Sequence, residues 1–426
     1  MSIQKFRFEG FLSPSAPWEM CYPYPRMNTS DENVPAGVKS TVSYKSLVLE
    51  NEHIRAVIVP ALGGRLYELF DKISGQDVLY KTNMVKPATL YGRGAGYICV
   101  IGGFKYGFPS YAHSPTDMSA WEYKTDKAAD GSISVTTYVT DLETDMKLSV
   151  THIVRPDASY VEFRTKIENP TPYKRKYYYW MCCQMEQTNE VEFVFPSDRM
   201  VIHGDMYGWP MRGIIGWPVY EGVDYSLFKN WNDAQGLFQL KCKEDFFGAY
   251  DHGKKQGIVR IFPHETATGT KLWCFQKEGA PVKMYSENKN IYYELFGGVT
   301  ASQDDYAYME PKASVEWSEF WYPINNTGGF VKATKECALN LRVNKDKDIA
   351  ATVYFTSKLS VPSIEYSLNG KGPAIFLDLS ISASASVSFV IPGKDLKDKD
   401  IAEIKVKEGS KILLTHTANL GALKNE

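Results

Sequence analysis

Short runs that alternate by two, or are continuously β-branched and aromatic, constrain this chain more than any other feature. Examples are "YKSLVLE" (Tyr44–Glu50), "IRAVIV" (Ile54–Val59), "MKLSVTHIVRP" (Met146–Pro156), "YVEFRTKIEN" (Tyr160–Asn169) and "KYYYWMCCQ" (Lys176–Gln184). Successive side chains of a strand point to opposite faces, so this period belongs to half-buried antiparallel strands. Clusters of Gly, Pro, Asn and Asp cut the runs at short intervals, and no long segment carries a helical period. Roughly twenty or more strand candidates exceed the ~7–9 of a single small sandwich, which predicts an all-β chain with a large two-sheet body.

A composition shift divides that chain. Aromatic residues are dense up to "WSEFWYPINNTGGF" (Trp317–Phe330), whereas "SISASASVSFVIPG" and its neighbours are Ser/Ala/Val strands without Trp. The expected organisation is a loop-like arm over residues 1–40, punctuated by Pro14, Pro17, Pro23, Pro25 and Pro35 and packed on the body. The large body follows over 41–330, then a small accessory β-sandwich over 331–426.

Bulk properties exclude several function classes. Net charge is -2, with no block of like charge, so nucleic acid and anionic membranes are not expected partners. No run approaches the ~18 apolar residues of a membrane span. The first residues lack the apolar core of a signal peptide, and seven cysteines without a CxxC pair read as reduced thiols, so the expected location is the cytoplasm. Walker, HExxH, GxSxG and Cys–His zinc spacings are absent, so neither a metal nor an organic cofactor is expected. The 28 Tyr, 21 Phe and 9 Trp are the one excess. Core packing accounts for it, or a carbohydrate cleft in which Trp121, Trp209, Trp217, Trp231 or Trp273 stacks on a sugar face.

Four stretches combine tight glycines with ionisable or aromatic groups: "VPALGGRLYELFDKISGQDVLY", "IGGFKYGFPSYAHSPT", "FFGAYDHGKKQGIVRIFPHE" and "NIYYELFGGVT". The first raises Arg65 directly after two glycines, as a solvated turn charge or as a ligand donor. The last places Glu294 in an apolar strand, where burial raises a carboxyl pKa unless donors or a cation compensate. Glu294 is thus either a general base or a residue of the strand's wet face. His113 sits in a Ser/Pro-flanked loop, as a functional or a surface histidine. Asp251 and His252 precede a "GKKQG" turn, and a simple hairpin register would bring His264 near them. Lys105 is an anion or hydroxyl contact or a solvated charge, His53, His152 and His203 read as structural, and His416 lies in the tail, away from these stretches.

Taken in order, "LVLENEHIRAVIVPALGGRLYELFDKISGQDVLY", "VKPATLYG", "FFGAYDHGKKQGIV", "YYELFGG" and "WSEFWYPI" resemble a bacterial family of uncharacterised galactose-mutarotase-like domains over roughly residues 20–325. That resemblance implies a supersandwich of two large antiparallel sheets, of the aldose 1-epimerase type, with a sugar cleft and a small C-terminal β-sandwich. It implies a catalytic Glu294 with His113 or His252 as acid. It also implies substrate contacts from Arg65 and Asp251, beside which His264, Tyr106 and Trp273 are further candidate contacts. Where the family carries an acidic residue, "GGFKYGFP" places Lys105, and the charge inversion suits a uronate.

The functional expectation is a cofactor-independent sugar enzyme working by general acid–base chemistry on a mono- or oligosaccharide. An epimerase or mutarotase needs one base and one acid. A hydrolase needs two carboxylates, for which Glu294 and Asp251 are the pair to inspect. A lyase needs a cation beside a uronate carboxylate. The alternative is a non-catalytic carbohydrate-binding or sensing protein, and the extra tail domain leaves room for a homodimer. A rival assignment pairs Arg65 with Glu294 or Asp71, so that it only holds the hairpin in place.

Overall fold

The computed structural model describes residues 2–12, 18–21, 24–27, 39–89, 97–109, 114–117, 119–203, 213–232, 234–275, 292–346, 348–372, 374–376, 380–393 and 397–424. Strands dominate these residues, joined by turns and short 3-10 segments, and no helix among them is long and apolar enough to cross a membrane. The alternation seen in the sequence is thus realised as antiparallel sheet.

Two large sheets form the body. The twelve-stranded sheet runs Ser2–Leu12, Lys39–Glu50, Ile54–Val59, Arg65–Asp71, Phe104–Gly107, Trp180–Glu186, Tyr292–Gly298, Gly269–Cys274, Gln235–Gln239, Arg199–Ile202 and Ile214–Gly216, with Gln76–Asp77 beside Arg65–Asp71. The eight-stranded sheet runs Glu122–Lys127, Ile133–Thr140, Lys147–Val154, Val161–Glu168, Ser314–Asn325, Gln256–Ile261, Phe246–Asp251 and Val191–Val194. The proline-rich start was expected to be loop, yet Ser2–Leu12 forms an edge strand of the larger sheet, paired with Lys39–Glu50. The prolines fall after that strand, where they do not interrupt its ladder.

One apolar core lies between the sheets. Leu66, Phe104, Met181, Cys183, Leu272 and Leu295 enter it from the larger sheet, and Val150, Phe163, Phe247, Ile258 and Trp321 from the smaller. The rings of Phe104 and Trp321 meet edge-on at 4.9 Å. After Phe330, two four-stranded sheets enclose a second core that includes Leu339, Val353, Ile364, Ile404 and Leu414. Glu192 ties this C-terminal sandwich to the body, because His252 bonds it at 2.7 Å while Arg342 and Lys424 reach it at 2.5 and 2.7 Å. Burial alone would raise the Glu192 carboxyl, but the His252 bond and the two cations hold it down at about 2.

A charged plug spans the gap between the two large sheets. Arg260 and Glu319 are buried and bonded at 2.7 Å, and Trp317 Nε1 donates to the second carboxylate oxygen at 2.8 Å. The guanidinium lies 4.1 Å from the Phe262 ring centre and against the opposite sheet, where a Cβ on Gly297 would come within 2.2 Å of it. Removing one member of such a pair strands a buried charge. Glu319→Ala is therefore expected to cost about 3–5 kcal/mol, read as a lower urea midpoint. The double replacement Arg260→Met, Glu319→Leu is expected to cost less than Glu319→Ala alone.

Candidate functional site

The period of two that builds the core also builds the site, on the opposite face of the larger sheet. Since Phe104, Met181, Cys183, Leu272 and Leu295 face the core, their strand neighbours face away from it. Cross-strand register then sets two rows on that outer face. Gln184 pairs with Glu294, Glu294 with Trp273, and Trp273 with Gly236. In the next row Lys105 pairs with Cys182, Cys182 with Phe296, Phe296 with Lys271, and Lys271 with Phe238. Arg65 joins them at one side, because its neighbour Leu66 pairs with Phe104 and faces the core.

Glu294 is at the centre of the face. It is buried (6% exposed), accepts a hydrogen bond from Gln184 Nε2 at 3.0 Å, and among the described residues forms no ion pair. A carboxylate has about four acceptor positions, so even with the Cys182 thiol beside it, capacity for a ligand remains. Lys271 is on the adjoining strand, buried among aromatic rings. Its Nζ is 4.8 Å from the Phe296 ring centre, 4.9 Å from Trp273 and 5.1 Å from Phe238, and it donates to Gln303 Oε1. Burial lowers its ammonium to about 7, against the pull of Glu294. Gly236 makes this convergence possible, since a Cβ there would be 2.6 Å from the Trp273 ring and 2.9 Å from both His203 and Lys271. His203, half-buried, stacks edge-on with Trp273 at 5.8 Å, and its Nδ1 is buried without a hydrogen-bond partner. Burial, reinforced by Lys271, lowers its imidazole to about 3.

The other side of the face is built by the double glycine. Gly63 and Gly64 have φ of +70° and +66°, a left-handed conformation costly for other residues. A Cβ on Gly63 would be 2.3 Å from the Asp117 carbonyl oxygen, and one on Gly64 2.4 Å from the Trp121 ring. The glycines thus seat the 3-10 turn Pro115–Asp117 and Trp121 on the start of the Arg65 strand. Asp117 is buried, with neither carboxylate oxygen hydrogen-bonded. Burial pushes its carboxyl up to about 7 despite the opposing charges of Lys105 and Arg65. Arg65 donates from Nη1 to the Gly102 carbonyl at 2.7 Å, and its Nε and Nη2 are buried with no partner.

Of the residues singled out in the sequence, Glu294, Arg65, Lys105 and Trp273 share this face. His113 and Trp209 lie outside the described residues. Tyr106 does not face the site: it follows Lys105 in the strand, so its ring enters the core and its hydroxyl meets His152 Nε2 at 2.8 Å. Asp251 and His252 belong to the smaller sheet, where Asp251 accepts from Thr188 at 2.7 Å and His252 serves the Glu192 junction. The hairpin register separates them from His264. Asp251 pairs with Gln256 at the turn, whereas Phe246 pairs with Ile261 at the open end, beyond which His264 bonds Asp245 at 2.6 Å. Trp121, Trp217 and Trp231 are core residues rather than platforms. Arg65 pairs with neither Glu294 nor Asp71, whose carboxylate accepts from Asn325 at 2.9 Å.

Four further residues belong to the site, among them His203, which the sequence alone reads as structural. Lys271, in "GTKLWC", carries the same signal as Glu294, one ionisable residue in an apolar strand. Gln184 and His203 have no such mark, and Asp117 reads as an ordinary turn aspartate. Among the described residues no group of three or more His, Cys, Asp or Glu is placed to hold a metal ion.

Asp117 supplies a test of this geometry. Its carboxyl titrates near 3.8 when unperturbed and at about 7 in the fold, so the folded state holds the proton more tightly. Its contribution to stability is fully present below pH ~4 and is lost as pH rises through about 7. Asp117→Asn, which does not ionise, is expected to raise the melting temperature more at pH 8 than at pH 5. A gain equal at both values would place the carboxyl outside this electrostatic setting.

Comparison with solved structures gives a shared fold at low identity. A TPR-domain containing protein from Parabacteroides distasonis is 23% identical with a TM-score of 0.65, and the alignment covers 76% of this chain but 55% of that one. This chain therefore spans little more than half the length of that protein. A galactose mutarotase-like protein from Clostridium acetobutylicum is 12% identical over 66% of this chain and 96% of its own, with a TM-score of 0.49. Another from Lactobacillus casei is 10% identical over 65% and 99%, with a TM-score of 0.46. At the sequence level residues 18–324 match a family pattern that spans all the strands of the site, and the chain belongs to that family, Domain of unknown function (DUF5107).

Proposed function

We propose that this protein is a cofactor-independent sugar enzyme of the epimerase or mutarotase kind, acting on a mono- or oligosaccharide at the outer face of the larger sheet. The observation that carries this reading is the placement of Glu294, Lys271 and Trp273 together on adjoining strands. Trp273 is a half-buried indole beside a carboxylate, a surface on which the apolar face of a pyranose packs. Glu294 takes the proton of the anomeric hydroxyl. Lys271 supplies a proton to the ring oxygen, since an ammonium that titrates at about 7 can both give and regain a proton near neutral pH. The sequence motifs that resemble galactose-mutarotase-like domains point to the same chemistry.

Hydrolysis through Glu294 and Asp251 has no support, because the two carboxylates belong to different sheets. Binding without catalysis is favoured by one observation. His203 reaches the face three strands from Glu294, with Trp273 and Gly236 between, so no described histidine adjoins the carboxylate.

Polarimetry on a panel of neutral aldoses and uronates tests the enzyme reading. Glu294→Gln and Lys271→Met are each expected to lower the rate of anomer interconversion by about 10²–10⁴-fold. The acid must be protonated to act, so wild-type activity falls as pH rises through about 7, and Lys271→Met loses that limb. Tight sugar binding with no interconversion in the wild type would select the binding reading.

A further inference from the structure

The guanidinium of Arg65 has one edge occupied and one edge empty. Nη1 donates to the Gly102 carbonyl at 2.7 Å, which fixes the plane of the group. Nε and Nη2 form the other edge, and both are buried without an acceptor in a residue only 1% exposed. These two nitrogens are the side-on fork that a planar carboxylate fits with two parallel hydrogen bonds. A buried donor without an acceptor is costly, and buried polar groups are nearly always paired. Arg260 is the internal contrast. Its terminal nitrogens also lack acceptors, but its guanidinium is ion-paired to Glu319 and packed over Phe262 and Phe247 at 4.1 and 5.2 Å. Arg65 has no ion pair and no ring contact among the described residues. The carboxyl nearest in charge, Asp117, does not bond it and leaves both of its own oxygens buried and unpartnered.

We propose that Arg65 is a specificity residue whose empty fork binds the carboxylate of a uronic acid, placing an acidic sugar across the face toward Glu294. Lys105, on the adjoining strand and the same face, adds a second positive charge beside that carboxylate. Arg65 and Glu294 are separated by the strands Phe104–Gly107 and Trp180–Glu186. That is three strand spacings, or ~14 Å between backbones, a gap that two inward-leaning side chains reduce to roughly one or two sugar rings. A two-nitrogen edge accepts carboxylate and phosphate oxygens alike, so a sugar phosphate is the control that separates a uronate from another anionic sugar.

This inference rests on the sugar reading above, and calorimetric titration separates the two. The probes are galacturonate, digalacturonate, galactose and galactose 6-phosphate, with the wild type, Arg65→Lys and Arg65→Met. The wild type is expected to bind a uronate at least tenfold more tightly than galactose. Arg65→Lys keeps the charge but loses the fork, and is expected to weaken uronate binding about 10–100-fold and galactose binding by much less. The wild-type comparison stands even if Arg65→Met fails to fold. Equal affinity for galacturonate and galactose, or preference for the phosphate, overturns the carboxylate fork and leaves the sugar reading intact. No binding of any sugar overturns both.

Discussion

Arg260 reaches from the smaller sheet across the apolar core to the backbone of Gly297, and Glu319 neutralises its charge there. Gly297 belongs to the strand that carries Glu294, three residues earlier and on the opposite face. The strand of Glu294 is therefore seated against a charged group at Gly297 as well as against the apolar core at Leu295. Close-packed interiors tolerate few volume changes, and a strand pinned in this way has little freedom to tilt. Gln184 holds the carboxylate from the neighbouring strand at 3.0 Å. A polar site needs such support, since its groups must be fixed before a ligand arrives.

The two ends of the face differ in electrostatic character. Around Lys271 the rings of Phe238, Trp273 and Phe296 exclude water, and the ammonium gives up its proton more readily than a solvated lysine. Around Arg65 and Lys105 two cations adjoin Asp117, yet burial still raises that carboxyl. Glu294 lies between the two settings. Buried ionisable groups left without full partners cost stability, and proteins retain them chiefly where a ligand or a reaction uses them.

The sequence motifs led to this face more surely than to its members. Glu294 and Arg65 stood out because a charge inside an apolar strand, or after a strained glycine pair, breaks a local pattern. Lys271 breaks the pattern equally. Tyr106 and Asp251 failed for a different reason. Adjacent residues in a strand face opposite ways, and adjacent motifs can belong to different sheets, so nearness in a quoted segment gives no nearness in space. The double glycine has a role that no local pattern shows. Its function is to admit the Asp117 turn and Trp121, a contact between segments some fifty residues apart.

By itself the sequence determined the all-β class, the division between an aromatic body and a Ser/Ala/Val tail, and which residues carry unusual charge for their surroundings. These follow from local rules, because alternation, turn chemistry and side-chain polarity act over a few residues. Only the tertiary structure decided which charges meet. Cross-strand register brings Gln184, Glu294, Trp273 and Lys271 into one patch from segments that lie far apart along the chain, and it sends His252 to the Glu192 junction. A one-residue shift of register would turn each of these side chains to the other face, so the site exists only once the whole ladder has closed.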